Sequence, residues 1–206
     1  VRVAVFASGR GSNFDSLALA TRDPGSPARI VLVVCDRPDA PVREKARAAG
    51  IEVLDLDPGT RKGPWAPEKV ESLLEELQAR GIDAICLAGF MRVLPAGIVR
   101  AYPGRILNIH PSLLPSFPGL RPQRQALRAG VKVSGCTVHL VDEGVDTGPI
   151  LLQAAVPVLD GDDRESLAAR ILEQEHRIYP EALFALAQGR VKLEGRVARI
   201  ETGVSP

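Results

Sequence analysis

The chain has 206 residues, 45% hydrophobic and 25% charged, with 26 basic against 25 acidic side chains and a formal net charge of +1. That length suits a single domain over residues 1–206 that buries its core without metal or disulfide staples, and the near-balance of charge, with no basic run of five, excludes a sequence-independent nucleic-acid surface in favour of small-molecule partners. Cys35, Cys86 and Cys136 sit in apolar runs with no C-x-x-C spacing, so they read as buried, reduced thiols, and with no signal peptide or apolar run long enough to span a bilayer the expectation is a cytoplasmic protein without a metal, monomeric or homodimeric.

The opening VRVAVFA is a β-branched run that ends in SGRGSN, after which FDSLALA has helical spacing. Strand, glycine loop and helix are therefore expected in that order. The alternation continues through a strand at ARIVLVVCD, a helix at APVREKARAAG, a strand at IEVLDL, a helix at PEKVESLLEELQARG and a strand at IDAICLAG. A short helix near LPAGIVRAY, a strand at RILNIH, a helix at RPQRQALRAG and strands at VSGCTVHLV and PILLQAAVPV follow. Near-continuous apolar strands alternating with amphipathic helices predict an α/β fold, a mostly parallel central sheet with helices on both faces. A helix from about Arg164 to Ile178 has Asp162 and Asp163 as capping candidates, and Pro180 is expected to start a separate helix. VKLEGRVARI reads as a C-terminal β-hairpin turning at Glu194-Gly195.

Two stretches carry chemistry. In ASGRGSN, Gly9 and Gly11 permit a tight turn between strand and helix, and Ser12, Asn13 and neighbouring amides at the helix start suit a phosphate. Phe14 stands where a dinucleotide fingerprint needs its third glycine, so the loop is either a phosphate site or a plain tight turn. In NIHPSLLP, His110 follows a strand end, where open parallel sheets bind ligands; it is either a chemical group or a core histidine packed against Pro111, Leu113 and Leu114. His139 shares a strand face with Thr137 by period-2 alternation and reads as core or a supporting residue. His176 reads as a helix residue at a packing boundary.

A carboxylate partner for His110 is best sought in DEGVDTGPIL, among Asp142, Glu143 and Asp146. Asp146 stands out because Gly144, Gly148 and Pro149 constrain its loop. A Ser112-His110-Asp146 triad is disfavoured: Ser112 is two residues from His110 with a proline between, and there is no G-x-S-x-G elbow. With no convincing nucleophile, Asn108, His110 and an acid suit direct transfer, in which a substrate supplies the attacking atom.

SGRGSN, LAGFMRVLP, RILNIHPSLLPSFPGL, VHLVDEGVDTGPIL and EQEHRIYP, in this order over nearly the whole chain, resemble the folate-dependent formyltransferases of purine biosynthesis. The resemblance implies a Rossmann-related fold and transfer of a formyl group from 10-formyltetrahydrofolate, as cosubstrate, to the amino group of glycinamide ribonucleotide. It implies Asn108, His110 and Asp146 as the catalytic trio, Gly11, Ser12 and Asn13 as the holders of the substrate phosphate, and Glu175 as a ribose contact. Met91, Arg92, Val93 and Leu94, with the backbone of Asp142, Glu143, Gly144, Val145 and Asp146, resemble the folate crevice. A carboxylate beside His110 would favour the imidazolium and raise its pKa.

The chain departs from that pattern at Arg121 and Gln123, where many relatives carry two histidines, and at Leu172, where relatives often have a polar residue near the ribose. Arg61 is the candidate for an upstream basic contact to folate. A 10-formyltetrahydrofolate hydrolase would use the same trio with water as acceptor, but such relatives usually carry an extra N-terminal domain, which is not expected here. A methionyl-tRNA formyltransferase is expected to need a further C-terminal domain and a basic surface, and a nucleotide-binding module would use the glycine loop alone.

Overall fold

Val3, Val5 and Phe6 are β-branched or aromatic side chains that a pleated strand accommodates and a helix disfavours, and five of the six residues of β1 (Arg2–Ala7) are buried. The computed structural model describes residues 1–59 and 63–201, which fall into two compact units, Val1–Leu107 and Asn108–Pro206. Arg61 lies outside the described residues.

In the first unit, β1 is followed by α1 (Ser12–Ala20), β2 (Arg29–Cys35), α2 (Val42–Ala48), β3 (Glu52–Asp55), α3 (Pro67–Ala79), β4 (Ala84–Leu87) and α4 (Ala96–Ala101). The strands are ordered β3-β2-β1-β4 and all pair in parallel, with Val5 opposite Val33 on one side and Cys86 on the other. The chain steps outward from β1 to β3, then returns to the far side of β1 at β4. Because parallel crossovers are right-handed, that reversal puts α3 on the sheet face opposite α1 and α2. Val3, Phe6, Leu17, Leu32, Leu77 and Ile85 fill the core. Cys35, Cys86 and, in the second unit, Cys136 are buried free thiols.

The strand β5 (Ile106–His110) crosses the boundary, its last three residues opening the second unit. There it is followed by α5 (Pro122–Ala129), β6 (Val133–Leu140), β7 (Ile150–Pro157), α6 (Arg164–Ala187), β8 (Val191–Glu194) and β9 (Val197–Ile200). β6 and β7 pair antiparallel, with a register shift between Val138 and His139. Gly135 is obligatory in this pair, since a Cβ there would lie 2.0 Å from the Ala154 carbonyl oxygen. α6 packs on both strands and buries Leu167, Ile171, Ile178, Tyr179 and Leu183. The expected α/β fold, with its mostly parallel strands and closing antiparallel hairpin, is present.

Two local expectations are corrected. No second helix starts at Pro180: α6 runs unbroken to Ala187 with the proline inside it. Proline forfeits the bond to the carbonyl four residues back, but Ile178, Tyr179, Pro180, Ala182 and Leu183 are all buried, and their apolar packing carries the helix past the lost bond. The hairpin turns one residue later than expected, at Gly195-Arg196, because Glu194 pairs with Val197. Gly195 supplies the positive φ of 63° that opens this turn.

The long loop from β6 to β7 is pinched at its base. Leu140 N donates to the Pro149 carbonyl at 2.9 Å, and a Cβ on Gly148 would lie 1.8 Å from the Leu140 oxygen. Asp142 Oδ1 accepts from Gly144 N at 3.0 Å and from Thr147 Oγ1 at 2.6 Å, closing the loop internally. Arg196, in the hairpin turn, donates to the Thr147 carbonyl. Two elements far apart in sequence therefore hold the residues around Asp146.

Of the two capping candidates, Asp163 is the cap. Its carboxylate accepts from the backbone of Glu165 and Ser166 while Ser166 Oγ accepts from Asp163 N, a reciprocal box. Asp162 instead accepts from Leu159 N and pairs with Arg170. Asp163→Ala should cost about 1 kcal/mol and lower the thermal midpoint by about 2–4 °C; a melting curve superimposable on that of the native chain would show that packing alone starts this helix.

Candidate active site

In the first unit the glycine loop follows β1. Gly11 caps α1 at φ 75°, and no side chain caps the helix. Its glycine is doubly required, because an added Cβ would also lie 2.7 Å from Val42 Cγ2 of α2. Ser12 and Asn13 form the first turn of α1, with Asn13 buried. The amides at this helix start carry the positive end of the dipole, the setting that suits a phosphate.

Met91, Arg92, Val93 and Leu94 follow β4 and, with Gly63, Pro64, Trp65, Pro95 and Ala96, line a cavity of about 740 Å³. Its size is that of a site for a drug-sized ligand. Met91 and Val93 remain 62% and 61% exposed, whereas Leu94 is buried. Arg92 does not extend as a lone cation: its Nε donates to Asp36 at 2.7 Å.

In the second unit Asn108, His110 and Asp146 come together. His110 Nδ1 lies 3.3 Å from Asp146 Oδ2, and Asn108 Nδ2 donates to Asp146 Oδ1 at 3.4 Å. Of the three acids in the loop, Asp146 is thus the partner, and Asp142 is spent on the loop itself. Asp146 has φ 55°, a left-handed conformation that an Asp adopts far more readily than most side chains. Gly119 N donates to its Oδ2 at 2.8 Å.

Two groups escaped the sequence reading, and a third was read only as core or a supporting residue. The carbonyl of Phe117 accepts from His110 Nε2 at 3.0 Å, and it points there because Phe117 holds φ 55°. The amide of Gly119 is the second. The third is His139, whose Nε2 lies 3.1 Å from Asn108 Nδ2 and 3.7 Å from Asp146 Oδ1. Its Nδ1 meets the Leu140 carbonyl at 2.8 Å, which assigns the proton to Nδ1 and leaves Nε2 as an acceptor for the Asn108 amide. The register shift just before His139 is a feature strict alternation does not anticipate, and such shifts re-aim side chains.

Ser112 is no nucleophile for His110. It is buried, and its Oγ donates to the Ser116 carbonyl at 2.6 Å. Thr137 braces the same segment, donating to the Ser112 carbonyl at 2.7 Å and accepting from Leu114 N at 3.0 Å. Glu175 is buried on α6, Leu172 lies one turn before it, and Arg121 and Gln123 flank the start of α5. Among the described residues no cluster of three His, Cys, Asp or Glu could hold a metal, and no helix is long and apolar enough to cross a membrane.

The electrostatics correct one expectation. Burial pushes the His110 pKa down, and the upward pull of the Phe117 carbonyl and the Asp146 charge does not overcome it, so the net shift is downward. A carboxylate neighbour alone would raise it; desolvation of the imidazolium wins here. Burial also pushes Asp146 up, but the two neighbouring histidines and the hydrogen bond from Gly119 N leave its carboxyl below the ordinary range. The two shifts favour the anion at Asp146 and bias the His110 imidazole toward neutrality.

Comparison with known proteins shows a match to the family described as formyl transferase over residues 1–183. The chain is 50% identical over 200 residues to the trifunctional purine biosynthetic protein adenosine-3 of Drosophila melanogaster, covering 96% of this chain and 15% of that one. It is 43% identical to the phosphoribosylglycinamide formyltransferase of Bacillus subtilis, covering 88% of this chain and 92% of the relative. The crystal structure of glycinamide ribonucleotide transformylase 1 from Symbiobacterium toebii superposes with a TM-score of 0.91 at 52% identity, covering 97% of this chain and 93% of that one.

Asp146→Asn removes an anion that raises the His110 pKa, so the imidazole should titrate at still lower pH. Ring-proton NMR reads this directly, and an unmoved or higher His110 titration would mean the two side chains are not coupled.

Proposed function

We propose that this chain, which belongs to the formyl transferase family, transfers the formyl group of 10-formyltetrahydrofolate to the amino group of glycinamide ribonucleotide, a step of de novo purine biosynthesis. The observation that carries the reading is the Asn108, His110 and Asp146 group, within 3.3 to 3.4 Å of one another through the Asp146 carboxylate, in a chain whose relatives are named for that transfer.

The chemistry needs no enzyme nucleophile. A neutral amine attacks the formyl carbon directly and gives a tetrahedral intermediate with an oxyanion. One N–H of the Asn108 amide, turned from its 3.4 Å contact with Asp146, donates to that oxyanion, the kind of contact worth about 10² to 10³ in rate per donor, and the positive charge of a His110 imidazolium stabilises it further. Negative charge developing beside His110 favours its imidazolium, offsetting the burial that holds the ring toward neutrality. As the bond from the formyl carbon to the folate nitrogen breaks, His110 hands that nitrogen a proton, and the proton released by the incoming amine leaves through Asp146 or a water. The buried carboxylate keeps the ring oriented and compensates its positive charge.

The uncapped start of α1 at Gly11, Ser12 and Asn13 takes the ribonucleotide phosphate, and Glu175 contacts the ribose. The cavity lined by Met91 to Leu94 takes the folate. Both partners are small molecules, and the folate is a cosubstrate.

Incubation with both substrates should release tetrahydrofolate only when glycinamide ribonucleotide is present. Formate release without that acceptor would point to a hydrolase, and no release at all would sink the reading. His110→Ala should nearly abolish turnover while substrate dissociation constants stay within about tenfold, as for a group used mainly in the transition state; retained turnover would remove His110 from the mechanism.

A further inference from the structure

The cavity wall formed by Met91 to Leu94 is held by two residues with no part in the chemistry above. Ser8 directly follows β1 and is 6% exposed. Its Oγ accepts from Met91 N at 3.0 Å, and its own amide donates to the Gly89 carbonyl at 3.3 Å. Asp36 follows β2, and its side chain, 5% exposed, accepts the Arg92 Nε–H at 2.7 Å. The ends of two neighbouring parallel strands therefore grip the turn that leaves β4. Gly89, at φ 71°, allows that turn, and Phe90 anchors it edge-on to Phe6 and Trp65, with centroids 5.4 and 6.3 Å away.

This grip has an electrostatic consequence. A buried carboxylate is tolerated when a cation and hydrogen bonds compensate it. Asp36 meets Arg92 through Oδ2, while its Oδ1 is buried with no hydrogen-bond partner. Asp36 thus depends on Arg92, and Arg92 in turn has its guanidinium direction set at Nε. The backbone is fixed, yet Met91 and Val93 keep their side chains open to the cavity. That is a preorganised wall: apolar groups presented on a rigid main chain, which lowers the ordering cost of binding.

We infer that Ser8 and Asp36 are positioning residues for the formyl donor, acting through the main chain of Met91 and the side chain of Arg92. This rests on the proposal that the 91–94 wall receives the folate. Loosening either grip weakens donor binding without touching the group that performs the transfer.

The test uses the full chain, with steady-state transfer at varied donor and at varied glycinamide ribonucleotide, and calorimetric titration with tetrahydrofolate. Asp36→Asn and Ser8→Ala should each raise the donor KM and the tetrahydrofolate Kd by about tenfold, the effect of one charge-assisted or structurally committed hydrogen bond. Turnover at saturation and the KM for glycinamide ribonucleotide should hold. Asp36→Glu should recover part of the donor affinity, and Asp36→Asn should add little once Arg92→Gln is present. Folded variants with native donor KM and Kd would overturn the inference, as would losses equal for both substrates. A native chain that binds tetrahydrofolate and transfers formyl while the variants behave identically removes only the positioning role; a native chain that binds no tetrahydrofolate removes both it and the reading of the cavity.

Discussion

A carboxylate taken out of water must find its compensation inside the protein, and the Asp146 carboxylate is the group around which the second unit is arranged. Its Oδ2 takes the Gly119 amide and faces His110; its Oδ1 faces Asn108 and His139. Each of these partners is in turn fixed by something else. The Phe117 carbonyl holds His110 from the other side of the ring, and the Leu140 carbonyl sets the tautomer of His139. The pinched loop, with Gly148 pressed against Leu140 and Arg196 on the Thr147 carbonyl, keeps the carboxylate where these groups can reach it.

His110 sits between opposing demands. It has a hydrogen-bond acceptor at each ring nitrogen, which calls for two protons, and it is buried, which calls for no charge. Burial prevails at rest. An imidazole poised in this way gains its charge when a neighbouring anion appears, and the oxyanion of acyl transfer is such an anion. The network thus couples a proton on the ring to the progress of the proposed reaction.

Much of the architecture was legible because local pattern and tertiary packing agree. The parallel strands are apolar runs that only a sheet covered on both faces would accept, and the helices between them show their buried residues at helical spacing, as with Leu73 and Leu77. The pattern misled where packing overrode a local rule. Pro180 is a helix breaker by its chemistry, yet the apolar face around it is buried and the helix continues. The neighbourhood of His110 was half legible: Asn108 and Asp146 announced themselves by residue type and setting. Phe117 and Gly119 act through main-chain atoms that every residue carries, so no residue type could mark them. His139 lay in a strand like any other core residue, and the register shift that places it beside Asn108 depends on how β6 meets β7.

By itself, then, the sequence determined the α/β class, the glycine turn before α1 and the lack of a serine elbow, because each follows from local sterics, periodicity or spacing, while Asn108, His110 and Asp146 as one set were implied by the family resemblance. The tertiary structure alone decided which of three loop acids faces His110, that burial biases the imidazole toward neutrality, and that Ser8 and Asp36 hold the turn lining the 91–94 cavity. These are matters of distance and desolvation between residues tens of positions apart, and such quantities exist only once the chain has closed on itself.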